Sequence, residues 1–191
     1  SNQRFYKVDG MWKNLVFLIN SLKLEYYMKD KLFNKSKNKI IIAKDFAGNK
    51  YRRNLANFRF RASAYGVLIE NKRILLKRHP SISKLDLPGG GIEMDETIPK
   101  GLMREFQEET GLIVKPDELI CVEDSLFTSG EEDAHGILIF YIVKQVGGRL
   151  EKKCHEADEI GFYDLDILNK NNIHSSCWNV VERMKNYVGL L

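Results

Sequence analysis

An α/β fold is predicted for this 191-residue chain, and three observations carry that reading. Short apolar runs recur at residues 63–70, 73–78, 119–127 and 136–146, with turn residues at 70–72 and 147–148, as strands do. Between the second and third run lies a segment, 97–110, with helical periodicity and an acidic face. A second amphipathic segment closes the chain, with Trp178, Val181, Met184, Tyr187 and Val188 at helical spacing.

The elements follow in order. Trp12, Leu15, Val16, Ile19, Leu22 and Tyr26 form a helical stripe over residues 9–33, with Asp9 as an N-cap. That stripe fits packing against the domain or a homodimer contact. Residues 40–43 read as a short strand and Ala47-Gly48-Asn49 as a turn. Residues 50–61 are basic with interleaved aromatics, and the alternation Phe58, Phe60, Ala62 fits a half-buried strand. Strands at 63–70 and 73–78 meet in a hairpin at Glu70-Asn71-Lys72. Residues 87–91, LPGGG, read as a sharp loop. Thr97 is placed to cap the next helix, Pro99 falls in its first turn and Gly111 ends it. Gly101 inside that helix suggests close packing against the sheet. A short strand at 160–163 precedes the last helix, which starts near Ser175-Ser176.

The composition is 43% hydrophobic and 29% charged, ordinary for a soluble globular protein, and the length suits one core domain plus an extension. No apolar run is long enough to span a bilayer, and the longest, residues 15–19, is too short for a signal-peptide core. No membrane association is expected. Ser1-Asn2 reads as a remnant of cloning. Cys121, Cys154 and Cys177 are far apart and form no CxxC pair, which argues against a disulfide framework or a zinc site and fits a reducing, cytoplasmic location. The net charge of +4 hides an asymmetry. Residues 1–61 hold 15 basic and 4 acidic side chains, whereas residues 62–191 hold 15 and 22. A basic extension (1–61) therefore precedes an acidic domain (62–191). Such a segment can meet nucleic acid, but docking on its own acidic domain or plain solvation explains it as well, and nucleic acid is not favoured.

The chemistry concentrates in residues 90–112, GGIEMDETIPKGLMREFQEETGL. Glu93, Asp95, Glu96, Glu105, Glu108 and Glu109 crowd into this stretch, and Glu105, Glu108 and Glu109 sit at i, i+3 and i+4. On a helix that spacing stacks like charges on one face, which destabilises the helix unless cations neutralise them. Hard divalent cations take carboxylate oxygens.

This stretch resembles the signature box of the Nudix hydrolases, with every fixed position of the pattern filled, and residues 62–168 read like the rest of such a domain. The resemblance implies an α/β/α sandwich with a mixed sheet. It implies hydrolysis of a nucleoside diphosphate linked to another group, X, with Mg²⁺ (or Mn²⁺) as the cofactor and a nucleotide as the substrate. It makes Glu108 and Glu109 ligands of the principal metal, Glu105 a ligand of a neighbouring metal or a base, and the Gly89 carbonyl a further ligand. Gly90, Glu96, Arg104 and Gly111 fall to structural support of the box, Arg104 pairing with a glutamate such as Glu96. A carboxylate on a loop before a late strand serves the family as ligand or general base; Glu156 matches that position best and Glu159 is the reserve. The cluster Glu131-Glu132-Asp133 with His135 reads as a solvated loop, and His79, His155 and His174 lack ligand-like spacing.

The box does not name the substrate. Phe127 stands where some dinucleoside-polyphosphate hydrolases carry a tyrosine, the proline expected there for ADP-ribose hydrolases is absent, and no cysteine quartet points to NADH. The reading leans to a nucleoside triphosphate or similar small nucleotide, its base stacked on Tyr65, Phe127, Phe140 or Tyr141. The alternatives are a hydrolase of RNA 5′ ends, or a non-catalytic nucleotide-sensing or RNA-binding protein that reuses the fold.

Overall fold

The computed structural model describes residues 39–45, 47–78, 83–130, 132–152 and 157–189. The helix expected over 9–33, together with His79, Glu131, Cys154, His155 and Glu156, lies outside them. The described residues divide between two units, 39–41 with 53–57, and 42–52 with 58–189. Of the first, the described residues end in a 3-10 turn, Leu55–Asn57, where the Leu55 N–H donates to the Lys39 carbonyl at 2.8 Å.

Strands β1 (Ile40–Lys44) and β2 (Lys50–Asn54) flank a turn that Asp45 organises. Its carboxylate accepts from the Asn49 side chain at 2.9 Å, the Asn49 N–H at 2.8 Å and the Tyr51 hydroxyl at 3.1 Å. These bonds, the Asn49 side chain first, hold the Asp45 carboxyl below its ordinary range. Strand β3 (Phe58–Val67) joins the strand read at 58–62 to the one read from 63, and its first half is exposed rather than half-buried. Its exposed first half is held by backbone pairing with strand β9 (Asp133–Gly148), in parallel register from Phe58↔Asp133 to Val67↔Ile142, so apolar content alone understates it. The chain then passes through β4 (Ile69–Glu70) into β5 (Arg73–Arg78). Asn71 and Lys72 both take positive φ, 50° and 62°, as a two-residue hairpin turn of the primed type requires.

Helix α1 (Ile98–Thr110) has Thr97 in extended backbone at its start and Pro99 in the first turn. Thr97 makes no side-chain capping bond, however. Gly111, at φ 74°, reverses the chain, its N–H donating to the Gln107 carbonyl at 2.8 Å. Gly101 packs against the box loop rather than the sheet: a Cβ there would stand 2.6 Å from Ile92 Cδ1 and 2.9 Å from Glu96 Oε2. The expected loop over 87–91 also differs. Its end, β7 (Gly89–Gly91), pairs antiparallel with β3, Ala64 facing Gly90. Strand β8 (Leu112–Thr128) and β9 form one long antiparallel hairpin, where the apolar pattern marks only 119–127 and 136–146. Three register irregularities, around Ile113, Pro116 and Leu119, break the alternation that a sequence reader counts.

One sheet runs β2-β1-β8-β9-β3-β7, with β1 parallel to β8 and β3 parallel to β9. A second runs β10-β5-β4, with β10 at Glu159–Asp164 and β6 (Leu85–Asp86) also on β5. Alternate side chains feed two cores. Leu138 and Phe140 of β9, with Ile74 and Leu76 of β5, join Val180, Val181 and Met184 of helix α2 (Trp178–Gly189). Ile139 and Val143 of β9, with Leu75 of β5, join Leu102 and Phe106 of α1. The sheets lie between the two helices, an α/β/α sandwich. Strands covered on both faces read as unbroken apolar runs, which explains residues 137–143. Helix α2 starts at Trp178, after a turn closed by Cys177 N–H to the His174 carbonyl at 3.0 Å, rather than at Ser175. Among the described residues no helix is long and apolar enough to cross a membrane.

Candidate active site

Helix α1 presents its acidic face to the glycine strand β7, and the two define one wall of a pocket of about 250 Å³. Gly89, Gly90, Gly91, Glu105 and Glu109 line that wall. Lys77 of β5, Asp86 of β6 and Tyr65, Ser63 and Arg61 of β3 line the floor and side. Ser125 and Phe127 of β8, Ala134, Gly136 and Leu138 of β9, and His174 and Ser176 before α2 complete it.

Glu109 is 3% exposed and fixed twice. The Lys77 ammonium donates to Oε1, and the Gly89 N–H donates to Oε2 at 2.8 Å. Burial pushes its carboxyl up to about 7, against the opposing pull of Lys77 and the Gly89 N–H. Only glycine fits position 89: φ is 136°, and a Cβ would stand 2.2 Å from the Ala64 carbonyl oxygen.

Arg104 organises the rest of the acidic face. Its Nε and Nη2 fork onto Glu96 at 2.7 and 2.9 Å, and Nη2 also donates to the Gly91 carbonyl at 3.1 Å. Nη1 reaches Glu105 at 3.0 Å and Glu108 at 3.2 Å. The Arg104 guanidinium, helped by the Glu93 N–H, holds the Glu96 carboxyl down at about 2. Glu105 and Glu109 line the pocket, whereas Glu108 is 60% exposed at its side chain and does not. Glu159 accepts from the Tyr163 hydroxyl at 2.8 Å and from Arg78 Nε at 3.0 Å, outside the pocket lining. His135 sits on β9, stacked on Phe60 and 3.2 Å from Asp124, also outside it.

Of the four aromatics weighed for base stacking, Tyr65 and Phe127 line the pocket. Phe140 is fully buried behind Tyr65, ring centroids 5.4 Å apart, and Tyr141 packs into the α1 core. Lys77, Asp86 and Ser176 were not singled out by sequence. Lys77 stands beside Arg78 at the end of the run Ile74-Leu75-Leu76 and reads as an exposed cation, and Asp86 is a single acidic residue three positions before Gly89. Asp86 accepts from the Leu87 N–H at 2.9 Å and the Cys177 thiol at 2.7 Å, and burial raises that thiol well above its usual range. His174 Nδ1 meets Ser176 Oγ at 2.6 Å.

Among the described residues no three His, Cys, Asp or Glu side chains are gathered as a ready metal site. The glutamates are drawn instead to Arg104 and Lys77. The donor chemistry is nonetheless that of a hard divalent ion: two carboxylates one helical turn apart, beside a close-approaching glycine backbone.

The family model for the NUDIX domain matches residues 59–184, about two thirds of the chain. The chain belongs to the NUDIX domain family. It is 39% identical over 105 residues to an ADP-ribose pyrophosphatase of Methanocaldococcus jannaschii, covering 53% of this chain and 59% of that protein. It is 45% identical over 109 residues to a MutT-like protein of Streptomyces ambofaciens, covering 56% of this chain and 66% of that one. The chain thus spans less than two thirds of these curated relatives. The crystal structure of a MutT protein from Methanosarcina mazei Go1 superposes with a TM-score of 0.54 at 25% identity, over 68% of this chain and 96% of that one.

Proposed function

We propose that this protein is a metal-dependent hydrolase of the pyrophosphate linkage in a nucleoside diphosphate joined to a further group, with nucleoside triphosphates and similar small nucleotides as favoured substrates. The observation that carries it is the convergence of Glu105, Glu109 and the strand Gly89–Gly91 on the pocket that Tyr65 and Phe127 also line. Pyrophosphate cleavage asks for neutralised phosphoryl oxygens and an aligned water rather than for covalent chemistry.

Glu105, Glu108, Glu109 and the Gly89 carbonyl would hold Mg²⁺ or Mn²⁺, which withdraws charge from phosphate and acidifies bound water. The NUDIX match supports a divalent metal; the choice between the two ions is part of the proposal. Arg104 and Glu96 keep α1 and the box loop in register, with Gly90 and Gly111 shaping the loop and helix end. Glu105, which faces the pocket, is favoured to accept the proton of the attacking water, ahead of Glu156 and Glu159. Tyr65 and Phe127 offer faces to a base. Residues 62–191 form the hydrolase domain in this reading and 1–61 an extension. ADP-ribose is the second substrate reading, favoured by the name of the 39% identical relative.

The test is release of phosphate or pyrophosphate, with and without Mg²⁺ or Mn²⁺, from nucleoside triphosphates, ADP-ribose, nucleotide sugars, dinucleoside polyphosphates and 5′-triphosphate RNA. Metal-dependent cleavage of the triphosphates above the others is expected. A folded protein that binds nucleotide but turns over nothing in this panel overturns the enzymatic reading in favour of a sensor.

A further inference from the structure

Strand β5 carries Lys77 among the buried residues Ile74, Leu75 and Leu76, and Lys77 itself is 7% exposed. A buried ammonium is strongly destabilising unless a counter-charge meets it. Here the counter-charge is Glu109, from α1, and both groups line the pocket beside Glu105 and Gly90. Glu109 is also the carboxylate to which the proposed function assigns the divalent ion, and the present inference rests on that reading. A monovalent and a divalent cation drawn to one buried carboxylate repel each other strongly at low effective dielectric. One must yield. The lysine is the mobile partner, because its charge sits at the end of a flexible four-carbon stem, whereas Glu109 is also held by the Gly89 N–H. Once displaced, the ammonium still opens on the pocket where phosphoryl oxygens would lie, and these are its best available partners.

We propose that Lys77 is an exchangeable internal counter-ion: it holds Glu109 in the metal-free protein, gives that carboxylate up to the divalent ion, and then pairs with a phosphoryl oxygen of the substrate. Lys77 thereby positions Glu109 in one state and binds the substrate in the other. It keeps metal affinity low until a nucleotide is present to receive the ammonium.

The experiment is calorimetric titration of Mn²⁺, without nucleotide, into the full chain, into Lys77→Met and into Lys77→Gln, with circular dichroism as the folding check. Lys77→Gln removes the charge but keeps a hydrogen-bond donor for Glu109, so the question survives if the methionine variant fails to fold. Both variants are expected to bind Mn²⁺ about tenfold more tightly, about 1.4 kcal/mol. In saturating Mn²⁺ both should bind a non-hydrolysable nucleoside triphosphate analogue about tenfold more weakly than wild type. Mn²⁺ affinity that is unchanged or weaker in the folded variants overturns the proposal, as does unchanged affinity for the analogue. Glu109→Gln separates this from the underlying reading. If the wild type binds Mn²⁺ and Glu109→Gln does not, the metal assignment stands whatever Lys77 does. If wild type and Glu109→Gln bind alike, the metal assignment itself fails and the exchange falls with it.

Discussion

Two glutamates of the 90–112 stretch, Glu109 on helix α1 and Glu96 in the loop before it, are handled in opposite ways. Glu109 is buried, and its carboxylate is tied to Lys77 and to the Gly89 N–H. Replacing it with glutamine keeps the shape and one acceptor while removing the charge. Turnover is expected to fall by on the order of 10²–10³-fold or more with the circular dichroism spectrum unchanged; near-normal turnover in a folded variant would remove Glu109 from the metal site. Glu96 is braced by Arg104, and its carboxyl is depressed from 4.5 to about 2. A carboxyl ionising more readily in the folded than in the unfolded state contributes stability that is complete above about pH 4.5 and is lost as pH falls toward 2. Arg104→Met removes that partner and leaves three glutamates without it. Its melting temperature should lie below that of wild type at pH 7, and the gap should close between pH 5 and pH 2. A gap independent of pH would show that packing, and not the ion pair, is what Arg104 supplies.

The functional elements are short and depend on each other. Strand β7 has three residues, all glycine, and no side chains with which to pack. It is held by backbone pairing to β3 and by the Gly89 bond to Glu109. Gly89→Ala would force a Cβ into the Ala64 carbonyl and a backbone conformation that costs a non-glycine residue about 1–3 kcal/mol before any clash. Urea unfolding should show a loss of about 3 kcal/mol or more. An alanine variant as stable as wild type would mean that β7 is not held as described. Helix α1 is legible because three signals agree: Pro99 in its first turn, Gly111 at its end and the i, i+3, i+4 spacing of Glu105, Glu108 and Glu109 between them. Strand β7 is not, because a run of glycines carries no periodicity and its pairing partner, Ser63–Tyr65, lies more than twenty residues away.

Across the whole molecule, aromatic residues that look alike in sequence are sorted by the layer they enter. Phe127 faces the pocket, while Phe140 fills the α2 core. Phe127→Ala is expected to raise KM for the nucleotide about tenfold through lost stacking, with a melting temperature close to wild type. Phe140→Ala should cost about 3–5 kcal/mol of stability. The converse pattern would place the base elsewhere. The same sorting splits the glutamate cluster. Spacing puts Glu105, Glu108 and Glu109 on one side of a helix, but it cannot say which of them meets the pocket, since that depends on how far α1 is rotated about its axis when Leu102 and Phe106 enter the core.

What the sequence determined by itself was local: the helix with its acidic face, the hairpin turn at Asn71-Lys72, the apolar strands and the box that marks the family. These follow from spacing and turn chemistry within a few residues. What only the tertiary structure decided was long-range. Lys77 lies 32 residues from Glu109, and Asp86 lies 91 from Cys177. Each pair meets because sheet pairing and two-sided packing fold the chain back on itself, and no periodicity along the chain encodes which distant charge a buried glutamate will find.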